Sequence, residues 1–376
     1  MFPKTPPMGF NTWNTFGENI SADLIKQTAD AMVEKGLVAA GYTYLVIDDC
    51  WSLRRRDPET GRILPDPAKF PDGMRDVSDY VHARGMKFGM YSCAGVRTCA
   101  DYPGSFDHEY LDARTFADYG ADFLKYDYCY KPEHTDGPLL YRKMSMALKA
   151  SGRDILLSAC NWGCDDVHKW IRSSGAGMYR STGDIFDNFV SFRDIFLSQI
   201  DNFVYSAPGC FNDIDMLTVG MRGKGNVGTT GCNDAEYKTQ FALWSFFGAP
   251  LMLGCDVRAI DDVTLKLVTN PTLLRINQDE ECRPPFIARH ADNNLRNVYA
   301  RLLSGNQLAL LFTNLADNDH TAWLPFENLG IPADAGKGLR MVNAFTGEDE
   351  GIAKESVAVS LKPRDCAVYL CEMRDV

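Results

Sequence analysis

The sequence predicts a (β/α)₈ TIM barrel over residues 1–284 followed by a small antiparallel β-sandwich domain over residues 285–376. Three observations carry that prediction. Eight short apolar runs, rich in β-branched and aromatic residues, are each followed by a helical pattern. Their continuous apolar character, without alternation, suits strands buried on both faces of a parallel sheet, and eight such units over about 270 residues match the size of a TIM barrel. From about residue 285 the helical period gives way to short runs joined by Gly, Asn and Asp.

The barrel strands are expected at 9–13, 43–49, 87–92, 123–127, 155–160, 178–184, 206–213 and 250–256. Between them, Ser21 can cap a helix whose apolar stripe includes Leu24, Ile25 and Met32 and whose end is marked by Gly36. Met74, Val77, Tyr80 and Val81 make a second stripe, stopped by Gly85, and Tyr237, Phe241 and Trp244 recur at helical spacing. In the second domain, strands are expected at 297–303, 307–314, 321–326, 339–345, 356–361 and 366–371. The period-two alternation from Ser356 to Leu361 marks a half-buried antiparallel strand. This domain is expected to pack against the barrel without touching the chemistry.

Composition narrows the function. With 45% hydrophobic and 24% charged residues the chain is globular, and its net charge of −11 argues against a nucleic-acid partner, which needs a basic face. A neutral sugar is compatible with that charge. No apolar run approaches the roughly 20 residues of a membrane span, so no membrane partner is expected. The opening Met1-Phe2-Pro3-Lys4-Thr5 lacks the charged-then-apolar pattern of a secretory signal, so a cytoplasmic location is expected. The 12 cysteines are scattered, with no paired CxxC spacing, and read mostly as free thiols filling the core. The six histidines show no HExxH or i, i+4 pairing. No metal and no cofactor are therefore expected.

A TIM barrel hangs its reacting groups from the C-terminal ends of its strands. There the sequence places a ring of carboxylates: Asp48, Asp49, Asp127, Asp184, Asp213, Asp215 and Asp256, with Trp13, Tyr91, Lys125 and Arg180. A single strand-end Asp is often a helix cap, and Asp256 reads as one; the remainder, in aromatic company, read as a site. Lys125 and Asp127 share a face of one strand, so an ammonium would hold that carboxylate ionised, which suits a nucleophile. Asp184, with a raised pKa, would then serve as general acid. Two carboxylates flanking an acetal is what glycosidic cleavage needs. Gly223-Lys224-Gly225-Asn226-Val227-Gly228 spells GxGxxG, but no strand ends at its first glycine, and it reads as a flexible βα loop.

The residues so reached resemble glycoside hydrolase family 27, the α-galactosidases and α-N-acetylgalactosaminidases. Thr5-Pro6-Pro7-Met8-Gly9-Phe10-Asn11-Thr12-Trp13-Asn14 resembles the family's first strand, and Ile47-Asp48-Asp49-Cys50-Trp51 its second. Lys125-Tyr126-Asp127 resembles the fourth, Arg180-Ser181-Thr182-Gly183-Asp184-Ile185 the sixth, and Pro208 to Leu217 the seventh. Arg97-Thr98-Cys99 and Ala249-Pro250-Leu251-Met252 fit as well. The resemblance implies a retaining exo-glycosidase acting on terminal α-galactosyl residues of an oligosaccharide or glycoconjugate, with Asp127 as nucleophile and Asp184 as general acid/base. It implies Asp48 and Asp49 on the sugar 4- and 6-hydroxyls, Lys125 on the 3- and 4-hydroxyls, Trp13 near C6, and Arg180 and Asp215 around the 2-hydroxyl. It also implies a Cys99–Cys129 disulfide, which a reducing cytoplasm could keep open.

The chain departs from the family pattern in four places. Gly17-Glu18 stands where many relatives carry a cysteine partner for Cys50, which implies a lost disulfide. The fifth-strand motif reads Cys160-Asn161-Trp162 instead of carrying Glu after Cys beside the sugar's C2. Cys164 sits where a bulky residue favours galactose and alanine admits an N-acetyl group. Phe211 and Ile214 replace Trp and Pro. α-N-Acetylgalactosaminidase and β-L-arabinopyranosidase activities therefore stay open on the same frame, although the Asp48-Asp49 pair, suited to a 6-hydroxyl, weighs against the second. A non-catalytic carbohydrate-binding protein on the same barrel is the alternative of a different class; it would have lost one of the two key aspartates. Whether the chain forms a homo-oligomer is left open.

Overall fold

The structure, a computed structural model, describes residues 2–376. Eight parallel strands form its first sheet: β1 (Met8–Asn11), β2 (Tyr44–Val46), β3 (Lys87–Cys93), β4 (Phe123–Asp127), β5 (Leu156–Cys160), β6 (Met178–Arg180), β7 (Phe211–Asp213) and β8 (Leu251–Leu253). They pair in chain order, with β8 returning to the free edge of β1. The ring closes just beyond β7, where the Leu217 amide donates to Met252 O at 2.8 Å and the Gly254 amide to Leu217 O at 2.9 Å. Both faces are buried, as the unalternating runs require. Tyr44, Val46, Phe123, Leu156, Met178, Phe211 and Met252 form one apolar cluster inside the barrel, while Phe10, Leu45, Phe88 and Leu124 join a larger one shared with the helices. Gly9 allows the interior to fill, since a Cβ there would come within 2.3 Å of Tyr44 O.

The helices are α1 (Trp13–Phe16), α2 (Ala22–Glu34), α3 (Gly73–His82), α4 (Glu109–Asp118), α5 (Gly137–Ala150), α6 (Phe189–Gln199), α7 (Asp234–Phe247), α8 (Asp262–Val268) and α9 (Pro271–Asn277). Ser21 caps α2 by accepting the Leu24 amide at 3.2 Å. Asn233 and Glu236 form a reciprocal capping box on α7. The expected eight strand–helix units need one correction: β5 returns to β6 through two short 3₁₀ turns, Cys164–Lys169 and Ile171–Ser174, instead of an α-helix. Gly163, Gly175 and Gly177 interrupt the helical period in that stretch. The strands are also shorter than expected. Asp184 lies four residues beyond the end of β6, and Asp48 and Asp49 lie beyond β2.

The second domain holds β9 (Phe286–Arg289), β10 (Val298–Leu303), β11 (Gln307–Asn314), β12 (His320–Pro325), β13 (Lys337–Asn343), β14 (Asp349–Lys354), β15 (Ser356–Leu361) and β16 (Asp365–Asp375). Six make an antiparallel sheet in the order β14-β13-β16-β11-β10-β9, and β12 pairs with β15 in a second. Strand alternation divides the burial. Leu308, Leu310 and Phe312 of β11 pack with Ala322, Leu324, Val359 and Leu361 of the small sheet, whereas Ala309 and Leu311 join the barrel's core. No helix among the described residues is long and apolar enough to cross a membrane.

Candidate active site

At the C-terminal mouth of the barrel a cavity collects side chains from seven strand ends. Trp13, Asp48, Asp49, Tyr91, Lys125 and Asp127 line one part of it; Trp162, Arg180, Asp184 and Asp215 line the rest. These ten residues, scattered from position 13 to position 215, were all expected there. Two were not brought with them. Cys160 lines an adjoining cavity lower in the barrel, beside Ser158, Met178 and Asp213, which shares Lys125, Arg180 and Asp215 with the first. Asn161 is fully buried and donates its Nδ2 to Cys164 O at 2.8 Å, so it faces the β5–β6 loop. Three lining residues were missed: Asn14, Cys99 and Met216. Asn14 and Met216 directly follow expected residues, and Cys99 is drawn in by its disulfide to Cys129, two residues beyond Asp127.

The first wall is built on Asp48. Its carboxylate accepts Lys125 Nζ and Asn11 Nδ2, both at 2.8 Å, and its amide donates to Thr12 Oγ1. Lys125 therefore bonds Asp48, not Asp127 as its place on the strand suggested. Burial alone would lower the Lys125 pKa, but Asp48 and its acidic neighbours hold it above the ordinary value. Asp49 Oδ1 accepts the Cys50 amide at 2.7 Å and Oδ2 the Ala100 amide at 3.1 Å. Its pKa is raised by burial.

Asp127 ends β4. Tyr91 OH donates to its Oδ2 at 3.1 Å and the Tyr128 amide to its Oδ1 at 2.9 Å. Opposite, the Arg180 guanidinium is shared between Asp184 Oδ1 at 2.7 Å and Asp215 Oδ2 at 2.8 Å. Asp215 takes a left-handed backbone (φ 82°), which turns its carboxylate back onto the Ile185 and Met216 amides, both at 2.7 Å. Cys50 and Trp162 are also left-handed, at 70° and 59°. Such strained positions cluster where surrounding structure over-determines a site.

The ionisation states depart from expectation. Burial pushes the Asp127 carboxyl up to about 6, with Lys125 opposing. Asp184 moves the other way: burial would raise it, but Arg180 and Lys125 hold it below the ordinary value. Its side chain is 64% exposed, against 5% for Arg180. The expected order of proton affinities is thus reversed, because the nucleophile candidate is the enclosed carboxylate and the acid candidate sits against the guanidinium.

Two further expectations meet the structure here. Cys99 and Cys129 are joined, Cα to Cα 5.3 Å, and the ten other cysteines are unpaired, all but Cys164 buried. Asp256 caps the 3₁₀ turn that follows it, accepting the Arg258 amide at 3.1 Å, and takes no part in the cavity.

The family model described as alpha galactosidase A matches residues 5–279. The chain belongs to the α-galactosidase family, glycoside hydrolase family 27. It is 37% identical to the α-galactosidase of Cyamopsis tetragonoloba over 99% of its own length and 87% of that protein's. Among solved structures it resembles α-galactosidase I of Mortierella vinacea, with a TM-score of 0.92 and 29% identity over 98% of this chain and 97% of that one. It also resembles the raffinose-bound α-galactosidase of Saccharomyces cerevisiae, with a TM-score of 0.89 and 25% identity over 99% and 98%. This family member is a glycoside hydrolase that acts on α-galactosyl residues.

Proposed function

We propose that Asp127 is the nucleophile and Asp184 the general acid/base of a retaining α-galactosidase. The observation that carries the assignment is that both carboxylates line one cavity, one enclosed and held by Tyr91 and the Tyr128 amide, the other mostly exposed and paired to Arg180. In the first displacement an Asp127 oxygen bonds to the anomeric carbon as the glycosidic C–O bond breaks, and the Asp184 proton passes to the departing oxygen. Water then attacks the anomeric carbon of the glycosyl-enzyme. Asp184 takes its proton, Asp127 departs, and configuration is retained. Tyr91 and the Tyr128 amide serve to hold Asp127 in line.

Galactose differs from glucose in its axial 4-hydroxyl, and Asp48, Asp49 and Lys125 supply two acceptors and a donor for the 3-, 4- and 6-hydroxyls. Trp13 offers a ring face near C6, and Arg180 with Asp215 a polar wall at the 2-hydroxyl. That charged wall suits a hydroxyl better than the methyl of an N-acetyl group, since burying ionic groups against apolar surface is costly. Loss of a proton-bearing state is the hazard of this geometry. A sugar that covers Asp184 removes its water and raises its pKa, so the proton reaches it as substrate binds.

Assaying the 4-nitrophenyl glycosides of α-galactose, α-N-acetylgalactosamine and β-L-arabinopyranose side by side tests the substrate, with raffinose as the natural-linkage control. The α-galactoside is expected to be cleaved fastest, and faster turnover of either other sugar refutes the substrate assignment. Asp127→Ala is expected to keep the fold and lose turnover; a folded variant that still hydrolyses at an appreciable fraction of the original rate refutes the nucleophile.

A further inference from the structure

The loop that spells GxGxxG is pinned, not flexible. The Asn226 and Val227 amides donate to Thr15 O and Asn14 O, both at 3.1 Å, which lays the loop against α1, just beyond β1, where Asn14 meets the cavity. The glycines permit that approach: a Cβ on Gly225 would come within 2.9 Å of Thr15 Cα, and one on Gly228 within 2.5 Å of Gly223 O. On its other side the loop closes around Asp187, three residues beyond Asp184.

Asp187 is wholly buried, and every polar group it has is engaged. Its carboxylate accepts the Gly223 amide at 2.6 Å and Tyr237 OH at 2.9 and 3.0 Å. Its own amide donates to Val227 O at 3.1 Å, and its carbonyl accepts the Gly231 amide at 2.9 Å and Thr229 Oγ1 at 2.7 Å. The next residue, Asn188, caps α6. The peptide that carries Asp184 is therefore fixed at Ile185 by Asp215 and at Asp187 by the loop, while the Asp184 side chain itself is mostly exposed.

We propose that Asp187 is a positioning residue for the acid/base step, clamping residues 185–188 to the 219–233 loop so that the Asp184 carboxyl pivots from an immobile backbone between Arg180 and the glycosidic oxygen. This rests on the assignment of Asp184 above. A carboxylate suits the place, because the Gly223 amide and Tyr237 OH both donate to it, and the Tyr237 oxygen already accepts the Arg222 amide at 2.7 Å, so an amide N–H turned toward it would meet an engaged acceptor. A general acid must be within hydrogen-bond reach of its target, and a misplacement of about 1 Å costs on the order of 10²-fold.

The test is leaving-group dependence in the full chain. Raffinose needs its departing oxygen protonated; 2,4-dinitrophenyl α-galactoside does not. Asp187→Asn is expected to lose about 10²-fold in kcat/KM on raffinose while changing little on the dinitrophenyl substrate. Tyr237→Phe, which removes one donor and keeps the packing, is expected to show the same split at smaller amplitude, and carries the comparison if the first variant does not fold. A folded variant that loses both substrates equally, or neither, overturns the proposal. Asp184→Asn is run alongside: if it shows no such split, the acid/base assignment falls instead.

Discussion

Asp127 is enclosed by Tyr91, Lys125 and the Tyr128 amide, and burial lifts its carboxyl to about 6, while Arg180 keeps Asp184 below the usual carboxylate range. A dyad that must hold one proton to work is then fully charged with it only between those two limits. As the pH rises through about 6 the last proton leaves, so kcat/KM is expected to fall tenfold per unit above that point; a profile flat to pH 8 would contradict the ionisation described. The same shift has a stability consequence. A carboxyl whose folded pKa is raised contributes favourably below its unfolded value and loses that contribution as pH rises through the folded one. A shift from 3.8 to about 6 amounts to about 3 kcal/mol. Thermal scans of Asp127→Asn against the parent should therefore show the variant gaining ground between pH 4 and pH 7, and a difference independent of pH would show that burial does not strain this carboxylate. None of this order was legible in the sequence. Spacing put Lys125 and Asp127 on one face of β4, but not that Asp48 would capture the ammonium.

Between elements, one side chain does what the missing cross-link at Cys50 would have done. Lys69 Nζ donates to Glu18 O and to Cys50 O, both at 2.8 Å, and so ties the turn after α1 to the turn that carries Asp48 and Asp49. Cys50 is a free, buried thiol. Charged hydrogen bonds of this kind, partly exposed, contribute about 1–2 kcal/mol. Lys69→Met is expected to lower the melting temperature and raise KM for the α-galactoside with little change in kcat, whether or not a reductant is present. Unchanged KM and melting temperature would show that the clamp is idle. The elements themselves were legible wherever burial leaves a pattern: an unbroken apolar run in the eight barrel strands, a helical stripe in α2, α3 and α7, and alternation in β15. Two strands were not, β9 and β14, and they are the two edges of the six-stranded sheet. β14 is exposed at nearly every position and its charges are of the kind that keep an edge from pairing with other chains, while β9 is only four residues long with its apolar Phe286 and Ile287 exposed, so neither shows a burial period to read. Asp184 likewise sits in a loop, not at a strand end; its motif located it, where the strand period placed it too near β6.

The barrel and the β-domain share one apolar core, so no seam separates them. The barrel's apolar cluster runs through α7 and α9 into Tyr299, Leu303, Ala309, Leu311 and Val368 of the six-stranded sheet. Around that continuous core, Lys238 pairs with Asp365 at 2.6 Å, Glu236 with Arg364 at 2.9 Å, and Asn270 Nδ2 donates to Ala344 O at 2.9 Å. Arg301 is the buried member of the junction. It lies 1% exposed and donates Nη1 to Phe246 O and Nε to Arg283 O, and burial pulls its pKa down to about 10. It is still charged at neutral pH, and both of these hydrogen bonds go to backbone carbonyls. Removing it strands those carbonyls and opens a cavity, a loss of about 3 kcal/mol. Because the core is shared, that loss should be felt by barrel and β-domain at once. Calorimetry of the parent is expected to give one endotherm, and Arg301→Ala the same single endotherm at lower temperature. A chain ending at residue 284 should be insoluble, since it would bare the apolar face of α7. Two separable transitions, in the parent or the variant, would mean that the β-domain is an appendage and that the barrel holds its active site without it.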